Sequence, residues 1–100
     1  MTVIEDPEGH ETHNLLGVAD FTDRKVLEVG CGDGRLTWRY AERTASVSAI
    51  DPVTADIETA RVNTPSHLRE RVKFYDSTID AFVTENPGPE FDIVLFSWSL

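Results

Sequence analysis

The sequence predicts an α/β fold built on a parallel sheet. Three observations carry that expectation. β-rich runs alternate with segments of helical period, strand then helix four times with the last helix missing, and such alternation means parallel strands joined by helical crossovers. A glycine-rich turn, Gly30-Cys31-Gly32-Asp33-Gly34, falls where the first strand gives way to the first helix. The run FDIVLFSW at 91–98 is nearly continuously apolar, as in a strand buried on both faces. One hundred residues is the size of one domain.

Residues 1–10, with Glu5, Asp6, Pro7, Glu8 and Gly9, have little to bury and read as a mobile arm. Residues 11–20 supply Leu15 and Leu16 to a short helix that Gly17 weakens. KVLEVGC (25–31) is the first strand. RLTWRYAER (35–43) has helical period, with Leu36 and Tyr40, and Thr37 and Ala41, four apart. ASVSAID (45–51) is the second strand, and Pro52 suits the first turn of a helix reaching about Val62, using Ile57, Ala60 and Arg61. Pro65 ends that helix, and 66–71 is a short turn. VKFYD (72–76) is the third strand. Ser77 is placed to cap a helix through Glu85, with Asp80 as its capping-box partner and Ile79, Phe82 and Val83 inward. NPGP (86–89) is a loop before the fourth strand.

Charge narrows the function classes. Eighteen Asp and Glu oppose nine Lys and Arg, a net −9. A nucleic-acid surface needs cations to neutralise phosphates, and anionic lipid needs them too, so neither partner is expected. A hydrophobic fraction of 40% is enough for a packed core. The single cysteine, Cys31, excludes an internal disulfide framework. No apolar run is long enough to span a membrane, and MTVIEDPEGH lacks the features of a signal peptide, so a soluble cytoplasmic protein is expected. Lys25 and Lys73 are the only lysines; an acidic, lysine-poor surface suits a halophilic source, where salt screens self-repulsion. His10, His13 and His67 have no further ligand constellation around them, so no metal site is expected.

The chemistry concentrates at the glycine turn. Glycines there permit positive φ and close approach of a ligand to the backbone, and the following helix offers unpaired N–H groups. The dinucleotide fingerprint needs glycine at the position of Arg35, where helix and strand must approach closely. Asp51 lies 21 residues beyond Gly30, the spacing at which an acidic side chain from the second strand reaches a ribose. Cys31, between two glycines and with no basic neighbour, reads as a small packing residue rather than a nucleophile. Trp38 points off the Leu36/Tyr40 stripe and is expected to pack under the N-terminal segment, against Leu15, Leu16 or Phe21.

VLEVGCGDGRLT (26–37), with Glu28 ahead of the glycines, resembles motif I of the class I S-adenosylmethionine-dependent methyltransferases. The resemblance continues through SAIDP, KFYDS and FDIVLFSWSL, four landmarks in order over residues 24–100. It implies a Rossmann-like three-layer sandwich with sheet order 3-2-1-4, truncated relative to the family's seven strands. Residues 21–100 would form the cofactor-binding half, after an N-terminal arm and short helix at 1–20. It implies S-adenosylmethionine as cofactor, with Glu28 near the methionine part, the backbone of Gly30 and Gly32 lining it, Asp51 on the ribose hydroxyls and Asp76 at the adenine amine. Cys31, Gly34, Pro52, Ser77 and Ser97 complete the expected cofactor site. An anionic Glu28 would suit a sulfonium and an ammonium and would repel a pyrophosphate.

The implied activity is methyl transfer to a small-molecule acceptor. No residue marks a general base, and only Ser97, Trp98 and Ser99, together with the unplaced arm 1–20, are expected at the acceptor side. Two other readings stand beside it: a non-catalytic interaction module derived from the same fold, and a dinucleotide-binding domain, which Arg35 disfavours. In the order 3-2-1-4 the fourth strand is an edge strand with no lysine or proline to block pairing. Self-association or a partner chain through that edge is therefore expected.

Overall fold

The computed structural model describes residues 2–5, 21–86 and 91–97. Five parallel strands form one sheet: β1 (Thr2–Glu5), β2 (Lys25–Val29), β3 (Ser46–Asp51), β4 (Val72–Asp76) and β5 (Ile93–Phe96), in the order β1-β5-β2-β3-β4. The last four reproduce the expected order 3-2-1-4. The helices are α1 (Thr37–Tyr40), α2 (Thr54–Asn63) and α3 (Ile79–Glu85). Single 3-10 turns at Ala41–Arg43 and Ser66–Leu68 finish the first two crossovers.

Strand alternation sorts the core into two faces. Val26, Val47, Ala49, Val72 and Phe74 pack with Tyr40 and Ala41, and with Ile57 and Ala60 of α2. Leu27, Val29, Ile50 and Val94 pack on the other face against Phe82 of α3, with Ile79 beside it. Helices thus cover both faces, which is why β5 is apolar at every position and β2 is buried at every position after Lys25.

Four expectations need correction. Residues 2–5 are a strand rather than an arm: Thr2 to Glu5 run parallel to Ile93 to Phe96. The fourth strand of the sequence reading, β5, is therefore not a bare edge, because β1 pairs with the side that lay open in a four-strand sheet. The first helix is one turn of α-helix and one of 3-10, shorter than 35–43, because its first residues are spent on the glycine turn. Thr78, not Ser77, caps α3: its Oγ1 accepts from the N–H of Ala81 at 3.2 Å. The Ser77 hydroxyl donates to the Thr78 carbonyl at 2.8 Å. Val83, expected inward, faces solvent at 54% exposure, and Phe82 is the buried residue of α3. The helix expected at 11–20, His10, His13, the loop at 87–89 and residues 98–100 lie outside the described residues.

Candidate functional site

β2 ends at Val29, and the chain turns sharply on three glycines, with φ of 79° at Gly30, 56° at Gly32 and 91° at Gly34. The turn is pinned to the neighbouring strand because the N–H groups of Gly30 and Cys31 both donate to the Ile50 carbonyl, at 2.9 and 3.1 Å. Gly34 N–H closes it onto the Cys31 carbonyl at 3.1 Å. The demands on glycine at positions 34 and 32 differ. A Cβ at Gly34 would lie 2.8 Å from the Trp38 indole, so that position is filled by packing. A Cβ at Gly32 would meet nothing within 4 Å, so Gly32 faces open space. Trp38 closes the turn from behind and packs edge-on to Phe74, ring centroids 5.4 Å apart; Leu15 and Leu16, its other expected partners, lie outside the described residues.

Asp51, at the end of β3, meets this turn. Its Oδ2 accepts from Gly32 N–H at 3.0 Å and its Oδ1 from Val53 N–H at 2.8 Å. The carboxylate is 8% exposed. Each oxygen retains a further acceptor site for a ligand hydroxyl. Asp76, one strand over, is exposed; its Oδ2 accepts from the Thr54 hydroxyl at 2.6 Å. Ser77 is joined to the same end of the sheet by its N–H, which donates to the Asp51 carbonyl at 3.1 Å. Pro52 is exposed beside them. Gly30, Gly32, Gly34, Asp51, Pro52, Asp76 and Ser77 thus gather at the C-terminal ends of β2, β3 and β4.

Glu28 lies underneath, with no exposed surface. Its Oε1 accepts from the hydroxyls of Thr37, at 2.7 Å, and Tyr40. Its Oε2 accepts from the Ser97 hydroxyl at 2.5 Å. Burial pushes the carboxyl above its ordinary 4.5, opposed by the hydrogen bonds from Ser97, Thr37 and Tyr40. Burial also raises the Tyr40 phenol well above its usual range, and the neighbouring Glu28 adds to that. Cys31 is buried, its thiol pushed up by burial and then by the carboxylates of Glu28 and Asp51. It therefore stays protonated, consistent with the packing role read from the sequence.

Thr37 and Tyr40 were not singled out as partners of Glu28. The available signal is their spacing: three apart on a helix, they share a face, directly after a strand carboxylate. Ser97 sits across the crevice between β2 and β5, its N–H donating to the Val29 carbonyl at 2.9 Å. The strand order reverses at that crevice, β3 lying on one side of β2 and β5 on the other, and open α/β sheets bind ligands at such a switch. Among the described residues no group of His, Cys, Asp and Glu is arranged to hold a metal. His67 lies instead 2.9 Å from Glu42 on the surface. No described helix is long and apolar enough to cross a membrane.

Comparison with known proteins agrees with this geometry. Residues 26–100 match the model of a family described as a methyltransferase domain. Over 71 residues the chain is 42% identical to the ubiquinone biosynthesis O-methyltransferase of Azotobacter vinelandii, covering 71% of this chain and 30% of that protein. It is 33% identical over 75 residues to the 23S rRNA (uracil(1939)-C(5))-methyltransferase of an Enterobacter species, covering 73% of this chain and 17% of that one. The chain therefore spans less than a third of either relative. Among solved structures, the magnesium protoporphyrin IX methyltransferase of Synechocystis PCC 6803, determined with S-adenosylmethionine bound, shares the fold at a TM-score of 0.63 and 20% identity, over 85% of this chain and 39% of that chain. With the family model matched across three quarters of its length and the sheet, glycine turn and acidic strand ends in place, this chain belongs to the class I S-adenosylmethionine-dependent methyltransferases.

Proposed function

We propose that this chain is the cofactor-binding part of an enzyme that transfers a methyl group from S-adenosylmethionine to a small-molecule acceptor. The observation that carries the reading is the contact between Gly32 N–H and Asp51 Oδ2. It sets an acceptor carboxylate, with spare lone pairs, beside a glycine that faces open space. That arrangement fits a nucleoside: Asp51 would take the ribose hydroxyls and the open Gly32 backbone would admit the ligand closely. Asp76, whose Oδ1 has no partner among the described residues, would accept from the adenine amine. The sulfonium of the cofactor supplies the electrophilic methyl group. The residues of this chain orient the nucleoside and, through Ser97 and Gly30, line the crevice beside it.

Two observations favour a small acceptor over RNA. The chain carries net −9, which repels a phosphate backbone. Its 42% identity is to an enzyme of ubiquinone biosynthesis, against 33% to the rRNA enzyme. Calorimetric titration with S-adenosylhomocysteine tests the cofactor reading. Asp51→Ala is expected to weaken binding by about 1–3 kcal/mol, the cost of removing hydrogen bonds to a charged acceptor. Binding to NAD in place of S-adenosylhomocysteine, or undiminished affinity in Asp51→Ala, would overturn it.

A further inference from the structure

The sheet end opposite β1 carries a feature that the cofactor reading does not use. β4 is the terminal strand there, and a groove runs along it, lined among others by Arg61 of α2, Arg69 from the following turn, and Lys73 and Tyr75 of β4. Three of the chain's nine basic residues converge on this groove. All three are exposed, and among the described residues no carboxylate forms an ion pair with any of them. Their hydrogen bonds go to backbone carbonyls instead. Arg61 Nη2 donates to Phe74 O at 2.7 Å, and Lys73 Nζ donates to Arg69 O at 3.0 Å. The other guanidinium nitrogens of Arg61, the guanidinium of Arg69 and the remaining ammonium hydrogens of Lys73 are available to a ligand.

The strand beside these cations is also open. Val47 N–H donates to Arg71 O and Ser77 N–H to Asp51 O, so the odd-numbered residues of β4 turn their backbone groups toward β3. By the alternation of a strand, Val72, Phe74 and Asp76 turn theirs to the free edge. Arg61 occupies the Phe74 carbonyl there, and the Phe74 N–H remains for a partner. Tyr75, 39% exposed, offers an apolar ring next to it. A free phosphate would answer only the cations. An extended segment bearing carboxylates answers the cations and the strand edge together.

We propose that the β4 edge is a docking groove for an extended, acidic peptide segment of a partner protein, laid along β4 with its carboxylates on Arg61, Arg69 and Lys73. Charge complementarity selects the occupant. Three exposed cations with no ion pair among the described residues line an open strand edge, and an extended acidic segment answers both features at once. The proposal stands apart from cofactor binding, because neither Arg69 nor Lys73 touches the glycine turn.

The test uses the 100-residue chain and a fluorescein-labelled peptide, Glu-Val-Glu-Thr-Glu-Val-Glu, read by fluorescence anisotropy. A peptide with Lys in place of each Glu is the control. The acidic peptide is expected to bind, the basic one not, and the double variant R69E/K73E to lose at least about tenfold in affinity. Both side chains are exposed and neither touches the glycine turn, so the variant's titration with S-adenosylhomocysteine is expected to stay unchanged. At saturation with the acidic peptide, hydrogen exchange at the Phe74 N–H is expected to slow. Equal affinity in the variant, or binding of the basic peptide, would overturn the proposal. So would displacement by inorganic phosphate with no change in Phe74 exchange, which would mark an anion site without strand addition. Self-association that R69E/K73E abolishes would assign the groove to a second copy instead.

Discussion

The Ser97 hydroxyl lies 2.5 Å from Glu28 Oε2 and 3.4 Å from the Gly30 carbonyl, so a single hydrogen faces two acceptors. If Glu28 is ionised, that hydrogen goes to the carboxylate and the Gly30 carbonyl receives none from Ser97. If Glu28 carries a proton, Oε2–H donates to Ser97 Oγ and Ser97 donates onward to Gly30. The neutral acid satisfies every partner, in keeping with the upward push of burial on this carboxyl.

Glu28 should therefore make stability fall as pH rises. Its folded-state pKa is raised above the unfolded 4.5, so the native state holds the proton more tightly. The resulting stability is fully present below 4.5 and is lost as pH climbs through the folded-state value. Within that window the slope is at most about 1.4 kcal/mol per pH unit. Glu28→Gln keeps the shape and removes the titration. Thermal melts across pH should show the variant gaining on the parent as pH rises; parallel curves would assign the slope to other groups.

Gly34 and Gly32 should respond differently to alanine. At Gly34 a Cβ meets the Trp38 indole at 2.8 Å and Phe74 at 3.3 Å on top of a φ of 91°. Gly34→Ala is expected to cost about 2–4 kcal/mol in chemical denaturation. Gly32→Ala meets no atom and carries only the backbone cost, about 1–2 kcal/mol. Its larger effect is expected on affinity for S-adenosylhomocysteine, where the methyl group fills the open space. A Gly32→Ala variant that binds normally would place the ligand elsewhere.

The start of α3 gives a cheaper test. Thr78→Ala removes the acceptor for Ala81 N–H and should cost about 1 kcal/mol. Ser77→Ala removes only a bond to the adjacent carbonyl on an exposed turn and should cost less than half of that. Equal losses would return the cap to Ser77.

β1 should keep the chain monomeric. Removing residues 1–5 uncovers the edge of β5, whose Ile93, Val94 and Leu95 are buried in the intact sheet. Light scattering across a concentration range is expected to show self-association of the shortened chain and not of the parent. A monomeric shortened chain would mean that β1 is dispensable as a cover.

Salt should raise the midpoint of thermal unfolding. Carboxylates crowded on a chain of net −9 repel, and salt screens them within a Debye length of ~8 Å at physiological strength. Melts from low salt to molar KCl decide it, and a flat or falling midpoint would remove the argument for salt adaptation.

The parts of the fold legible in the sequence were those fixed by local pattern. β2, β3 and β4 announce themselves by β-rich runs that end at glycine or aspartate, β5 by its continuous apolar run, and the glycine turn with Asp51 by spacing alone. The parts that were not legible depend on residues distant in the chain. Nothing in TVIE says that it will lie beside Ile93 to Phe96, because strand pairing is set by the sheet and not by the strand. The partners of Glu28 escaped notice for the same reason: Ser97 is 69 positions away. Ser77 and Thr78 are equally good caps by residue type, and a one-residue difference in where the helix begins decides between them.

The pairing of Thr2 with Ile93 also sets an order on assembly. β1 docks on a strand about ninety positions further along the chain, so its partner must already be in the sheet before it can pair. Closing so long a loop is entropically expensive until β2 and β5 are already side by side. β1 should accordingly add late in refolding, with slow-phase protection at Val3 and Ile4 appearing after that at Val26 and Leu27. Until β1 adds, the β5 flank of the sheet lies open to any strand with a free edge.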